Sequence, residues 1–119
     1  MKTIFDNANQ VFDYYYDYIV NHGVIFQNTR AVFNVGVHIN NPMDNHITSD
    51  VRNWKHKYAH SEWLWYLSGD RSIHTLGDIY GKVPKIWTKM ADSYGNVNSN
   101  YGYQWDRNDQ LDRVINMLK

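Results

Sequence analysis

The sequence contains no cysteine, which removes disulfides, thiolate metal sites and any cysteine nucleophile from these residues. Proline is scarce, at two, and no linker, low-complexity tract or internal repeat interrupts the chain. An excess of one charge is also missing, since twelve basic residues balance twelve acidic ones. That balance argues against a broad basic face for duplex nucleic acid, while a local anion site stays allowed. The expected partner is a small molecule or a protein. There is no run of about 18 apolar residues and no charged-then-apolar leader. Met1 to Tyr16 is instead polar, aromatic and helical in pattern. The chain therefore reads as soluble and cytoplasmic, without a membrane partner. Its 119 residues suit one domain, 1–119, burying roughly two-thirds of its unfolded surface.

What is present is organised by period. Asp6 or Asn7 can cap a helix carrying Val11, Phe12, Tyr15, Tyr16, Ile19 and Val20, with Gly23 as its stop. From Ala31 the period falls to two: Ala31, Phe33, Val35, Val37 and Ile39 alternate with Asn34, Gly36, His38 and Asn40. This pattern predicts a strand with one buried face. Ser49 or Asp50 can cap a central helix through Val51, Trp54, Tyr58 and Trp65 to Ser68 and Gly69. Short helices are expected at Ile73–Ile79 and, after Pro84, at Ile86–Ala91, followed by a turn-rich loop. A last helix, capped at Asn108, places Leu111, Val114, Ile115 and Leu118 on one stripe. Helices with one alternating strand point to an α/β or α+β unit. One strand cannot form a stable sheet alone, so the sheet is expected to be incomplete here. The missing terminal glycine or proline favours a continuation beyond Lys119.

Several groups could carry chemistry. Glu62 sits among tryptophan, leucine and tyrosine in "SEWLWYL", where an apolar setting would suit a proton-shuttling acid. The alternative is the exposed side of an amphipathic helix. His56 and His60 share a helix face, but the glutamate placement and third ligand of a catalytic zinc site are missing. Satisfied or solvated histidines account for them, and no metal is expected. Trp54, Trp63, Trp65, Trp87 and Trp105 could form a stacking platform or simply core. The stretch "VNSNYGYQW" mixes three aromatics and three amides in nine residues. It does not read as an ordinary helix or strand.

"SEWLWYLSGDRSIHTL", "PKIW", "YGNVNSNYGYQW" and "DQLDRVINMLK" occur in this order, and together they resemble the amino-terminal portion of the thymidylate synthase family. The matching residues are Glu62, Gly69 with Asp70, Ile86 with Trp87, Tyr101 with Gly102 and Trp105, and Asp109 with Gln110. Residues 1–60 match only in their helix-then-strand pattern. "NSNYG" and "PKIW" are closer to the phage deoxycytidylate hydroxymethylases than to ordinary thymidylate synthases. Both branches attach a one-carbon unit from 5,10-methylenetetrahydrofolate to C5 of a pyrimidine deoxynucleotide monophosphate. The synthases reduce it to methyl, and the hydroxymethylases let water capture it.

The resemblance implies that Glu62 organises water and moves protons, and that Tyr101 binds substrate and joins the network removing the C5 proton. It also implies that Trp87 packs beside the folate. Met90 stands where the family has a second tryptophan beside the cofactor. The family's arginine-bearing threonine-glycine phosphate loop corresponds to "VIFQNTRAV", in which Arg30 is the only nearby cation and so the candidate substrate ligand. "VNSNYGYQW" then reads as active-site wall and loop, since one-carbon chemistry favours a dry aromatic pocket with few polar groups. The family's cysteine, which attacks C6, and its Ser-Arg-Arg phosphate segment would lie beyond Lys119. The expectation is therefore the amino-terminal part of a split or truncated enzyme, inactive alone, joined as a homodimer or to a carboxy-terminal half. A non-catalytic fragment that associates with a full-length relative is the alternative.

Overall fold

The computed structural model describes residues 1–119, and its helices begin and end where side chains or glycine can satisfy the backbone. The chain divides into two compact units, Met1–Trp54 and Lys55–Lys119.

In the first unit, β1 (Ile4–Phe5) leads into α1 (Ala8–His22). Asn7 caps α1 by accepting from the Gln10 N–H at 3.0 Å, and Gly23 ends it. Both ends match the sequence reading. The expected strand from Ala31 to Ile39 is not continuous. β2 (Val24–Phe26) and β3 (Thr29–Ala31) form an antiparallel hairpin, whereas β4 (His38–Ile39) pairs in parallel with β1. Asn34, at φ 56°, turns the chain between β3 and β4, and a left-handed residue cannot continue a pleated strand. Alternation fails with it, because Val32, Val35 and Val37 together face Val11, Tyr15 and Ile19 of α1 across an apolar cavity of about 420 Å³. Phe33 instead meets Phe26 edge-on at 5.5 Å. The buried centre of this unit is Phe5 against Tyr15, with ring centroids 6.0 Å apart.

In the second unit, α2 runs from His56 to Leu67. The expected start at Ser49 or Asp50 is wrong. The Arg52 and Asn53 N–H groups donate to the Ser49 carbonyl in a turn, and Asn53 at φ 47° ends it. The stop is as expected, with Ser68 capping and Gly69 at φ 68°. Two short helices follow, α3 (Ile73–Tyr80) and α4 (Lys85–Met90), with Ser72 and Pro84 at their respective caps. Trp65, Ile73, Leu76 and Val97 form the buried core. Trp87 packs edge-on against Trp65 at 5.1 Å, while Trp63 and Trp105 are partly exposed.

"VNSNYGYQW" is half loop and half helix, contrary to the reading that it suits neither helix nor strand. Asn100 is buried and accepts from the Tyr103 N–H at 2.9 Å, capping α5 (Tyr101–Asp106). Gly102 lets α5 lie flush on the end of α2, since a Cβ there would fall 1.9 Å from the Tyr66 carbonyl oxygen. After the left-handed residues Asn108 and Asp109, α6 runs from Gln110 to Met117. Asp109, rather than Asn108, is its capping position. Its stripe of Leu111, Val114, Ile115 and Leu118 is exposed. The fold is of the mixed α/β class, with one parallel and one antiparallel strand pair.

Candidate functional site

The site is built on α2. Successive fourth residues Tyr58, Glu62 and Tyr66 share one face of the helix. The Tyr66 hydroxyl donates to Glu62 Oε1 at 2.6 Å. The Trp87 indole N–H donates to the Tyr58 hydroxyl, also at 2.6 Å, and Tyr58 lies one helical turn before Glu62 on the same face. Burial first, and then the neighbouring Glu62 carboxylate, push the Tyr58 phenol up to about 12. The same causes in the same order raise the Tyr66 phenol. Both groups therefore remain O–H donors at neutral pH.

The walls are aromatic. Tyr66 meets Tyr101 edge-on at 5.8 Å and Trp105 at 6.0 Å, and Tyr101 stacks on Trp105 at 6.3 Å. Tyr101 itself is 62% exposed, so its hydroxyl is accessible to a ligand. Beside Trp87, a groove of about 660 Å³ is lined by Tyr58, Tyr80, Val83 and Ile86 with Lys82 and Lys85. Aromatic and aliphatic walls flanked by ammonium groups suit a flat heterocycle bearing carboxylates. The pterin and glutamate parts of a folate have that chemistry, so the residues present fit the expected cosubstrate.

Of the sequence-predicted residues, Glu62 and Tyr101 are linked through Tyr66, and Trp87 reaches the same ring cluster through Trp65 and bonds to Tyr58. Met90 ends α4 one turn after Trp87 and is 54% exposed. Arg30 belongs to the first unit, on β3, where its guanidinium donates to the Val20 carbonyl at 3.1 Å. Glu62 is half-buried among aromatic rings, not on the solvent side of its helix. Stacked at 6.2 Å, His56 and His60 lie on the same helix. Sequence reasoning missed Tyr58 and Tyr66 as partners of Glu62. The four-residue spacing on either side of the glutamate was the available signal.

Chemically, this is a carboxylate held by the Tyr66 phenol within an aromatic wall, an arrangement suited to moving protons beside a flat ligand. The family profile described as thymidylate synthase matches residues 12–119, and the chain belongs to the thymidylate synthase family. It is 43% identical over 47 residues to the deoxycytidylate 5-hydroxymethyltransferase of Enterobacteria phage T4, covering 40% of this chain and 18% of that protein. The phage T2 enzyme of the same name gives the same values. A thymidylate synthase of Vesicomyosocius okutanii is 35% identical over 66 residues, covering 49% of this chain and 24% of its own. The chain thus spans a quarter or less of the length of these relatives. No solved structure matches it. No helix is long and apolar enough to cross a membrane.

Proposed function

We propose that this chain supplies the glutamate-and-aromatic wall of a cytoplasmic site for one-carbon transfer to C5 of a pyrimidine deoxynucleotide monophosphate. The observation that carries this reading is the Glu62 carboxylate, held at 2.6 Å by Tyr66 inside an aromatic pocket. When bound, 5,10-methylenetetrahydrofolate supplies the one-carbon unit. Trp87 and Met90 hold its ring system, and Tyr101 engages the nucleotide. Glu62 takes up and releases protons at the base and its ordered water, while the surrounding rings exclude bulk water. The cysteine thiolate that the chemistry needs comes from outside these residues, which hold none. A polypeptide carrying the family's carboxy-terminal half provides it.

A second reading is an interaction fragment that docks on a full-length relative. The exposed apolar stripe of α6 favours it.

The test is reconstitution with a carboxy-terminal segment carrying the cysteine. Turnover is read as tritium release from C5 of the nucleotide, and assembly by light scattering. Glu62→Gln keeps size and hydrogen bonding but cannot shuttle a proton, so turnover should fall by about a hundredfold or more with assembly intact. Turnover within about threefold of wild type, far short of that expectation, would overturn the role of Glu62. Assembly without turnover in the wild type would support the second reading.

A further inference from the structure

We propose that Tyr58 and Tyr66 are positioning residues for Glu62, and that Trp87 orients Tyr58 through its indole N–H. The inference rests on the reading of Glu62 as the proton-moving group.

The directions of the hydrogen bonds carry it. An indole N–H can only donate, so at 2.6 Å from Trp87 Nε1 the Tyr58 oxygen must accept. The single phenolic proton of Tyr58 is then free to point to Glu62, one helical turn further along the same face, and the raised Tyr58 phenol agrees with that direction. Tyr66 supplies a second O–H to the same carboxylate, at 2.6 Å. A short O–H···O contact of this kind is in the range of charge-assisted bonds. Glu62 thus accepts from two phenols whose own positions are fixed. Trp87 is braced edge-on by the fully buried Trp65. Tyr66 stacks on Trp65 at 5.8 Å and abuts Tyr101 and Trp105 on its other side.

A glutamate left to itself samples many rotamers, and fixing it costs side-chain entropy. The two phenols meet that cost before substrate arrives. They also occupy two acceptor positions of the carboxylate and leave the others for the reacting groups. Misplacement by about 1 Å can lower a rate about a hundredfold, so orientation matters as much as the carboxylate itself.

The first test uses the full chain alone and follows the Trp87 indole N–H resonance, assigned by its loss in Trp87→Phe. Tyr58→Phe should move it strongly by deleting the acceptor. Glu62→Gln should also move it, because a hydrogen-bonded chain transmits polarisation. An indole resonance unmoved by Glu62→Gln overturns the relay. The second test measures kcat and KM in the reconstituted enzyme. Tyr58→Phe and Tyr66→Phe should each lower kcat about tenfold with KM nearly unchanged, and in a Glu62→Gln background each should change kcat less than about twofold. Equal losses in both backgrounds would mean that the tyrosines act as packing and would overturn the proposal. If no reconstituted variant turns over, the functional reading fails, and the indole resonance alone decides the relay.

Discussion

Replacing Gly102 by alanine tests the packing that holds the aromatic wall together. The added Cβ would lie 1.9 Å from the Tyr66 carbonyl oxygen and 2.4 Å from the carbonyl carbon and Cα of the same residue. All three are backbone atoms, so no side chain can swing aside. Ordinary contact begins at 3.4 Å, which requires α5 to retreat from α2 by roughly 1.5 Å, and close-packed interiors do not absorb such a shift locally. Overpacking of this kind costs about 1–3 kcal/mol. For a unit the size of Lys55–Lys119, each kcal/mol lowers Tm by about 4–8 °C. The retreat also pulls Tyr101 and Trp105 off Tyr66, which should change the tryptophan emission of the native state. Gly36 is the control, since nothing lies within 4 Å of a Cβ built there. Melts followed by far-ultraviolet circular dichroism should show a loss of several degrees for Gly102→Ala and little change for Gly36→Ala. Indistinguishable melts for Gly102→Ala and wild type would refute the flush contact between α2 and α5.

At high pH the raised phenols of Tyr58 and Tyr66 give a signed expectation. Their protonated forms stabilise the fold fully below the unfolded tyrosine pKa of about 10, and that contribution is lost as pH rises from there through the folded value of about 12 for Tyr58. Urea melts should therefore weaken over this range, and less steeply in Tyr58→Phe; parallel wild-type and mutant curves would contradict the assignment. At the acid end, the Thr75 hydroxyl and then the Ser72 N–H lower the pKa of Asp70. Its contribution is present above the unfolded value of about 3.9 and disappears as pH falls through the lower folded value. Asp70→Asn should be less stable at neutral pH and show a flatter acid limb in the same assay, with an unchanged limb as the refuting result.

Features set by neighbouring residues were legible in the sequence. Asn7 and Gly23 bracket α1, Pro84 opens α4, and Gly69 closes α2, because caps and left-handed stops depend on the chemistry of one or two side chains. Where local signals fit two outcomes, a single left-handed residue decides between them. Ser49 and Asp50 suit a turn as well as a helix start, and Asn53 in the left-handed region decided for the turn. Alternation from Ala31 to Ile39 suited a strand until Asn34 turned the backbone, so Val32, Val35 and Val37 came to share one face. The family profile likewise extends to residue 12, through a region whose motifs could not be read directly.

The site depends on a different scale of information. Tyr58, Glu62 and Tyr66 are adjacent through helix geometry alone, and their spacing was visible. Their relation to Trp87 was not, since 29 residues separate Trp87 from Tyr58. Ile73 and Leu76 bury α3 against Trp65, and the chain then returns through Gly81, at φ 99°, and Pro84 into α4. Only that return brings the indole N–H to the Tyr58 hydroxyl. Tyr101 arrives by a second route, since Asn100 caps α5 and Gly102 permits its contact with α2. The carboxylate is thus a property of one helix, but its orientation is a property of the packed unit. A substitution in the core beneath Trp87 can therefore impair Glu62 without touching it.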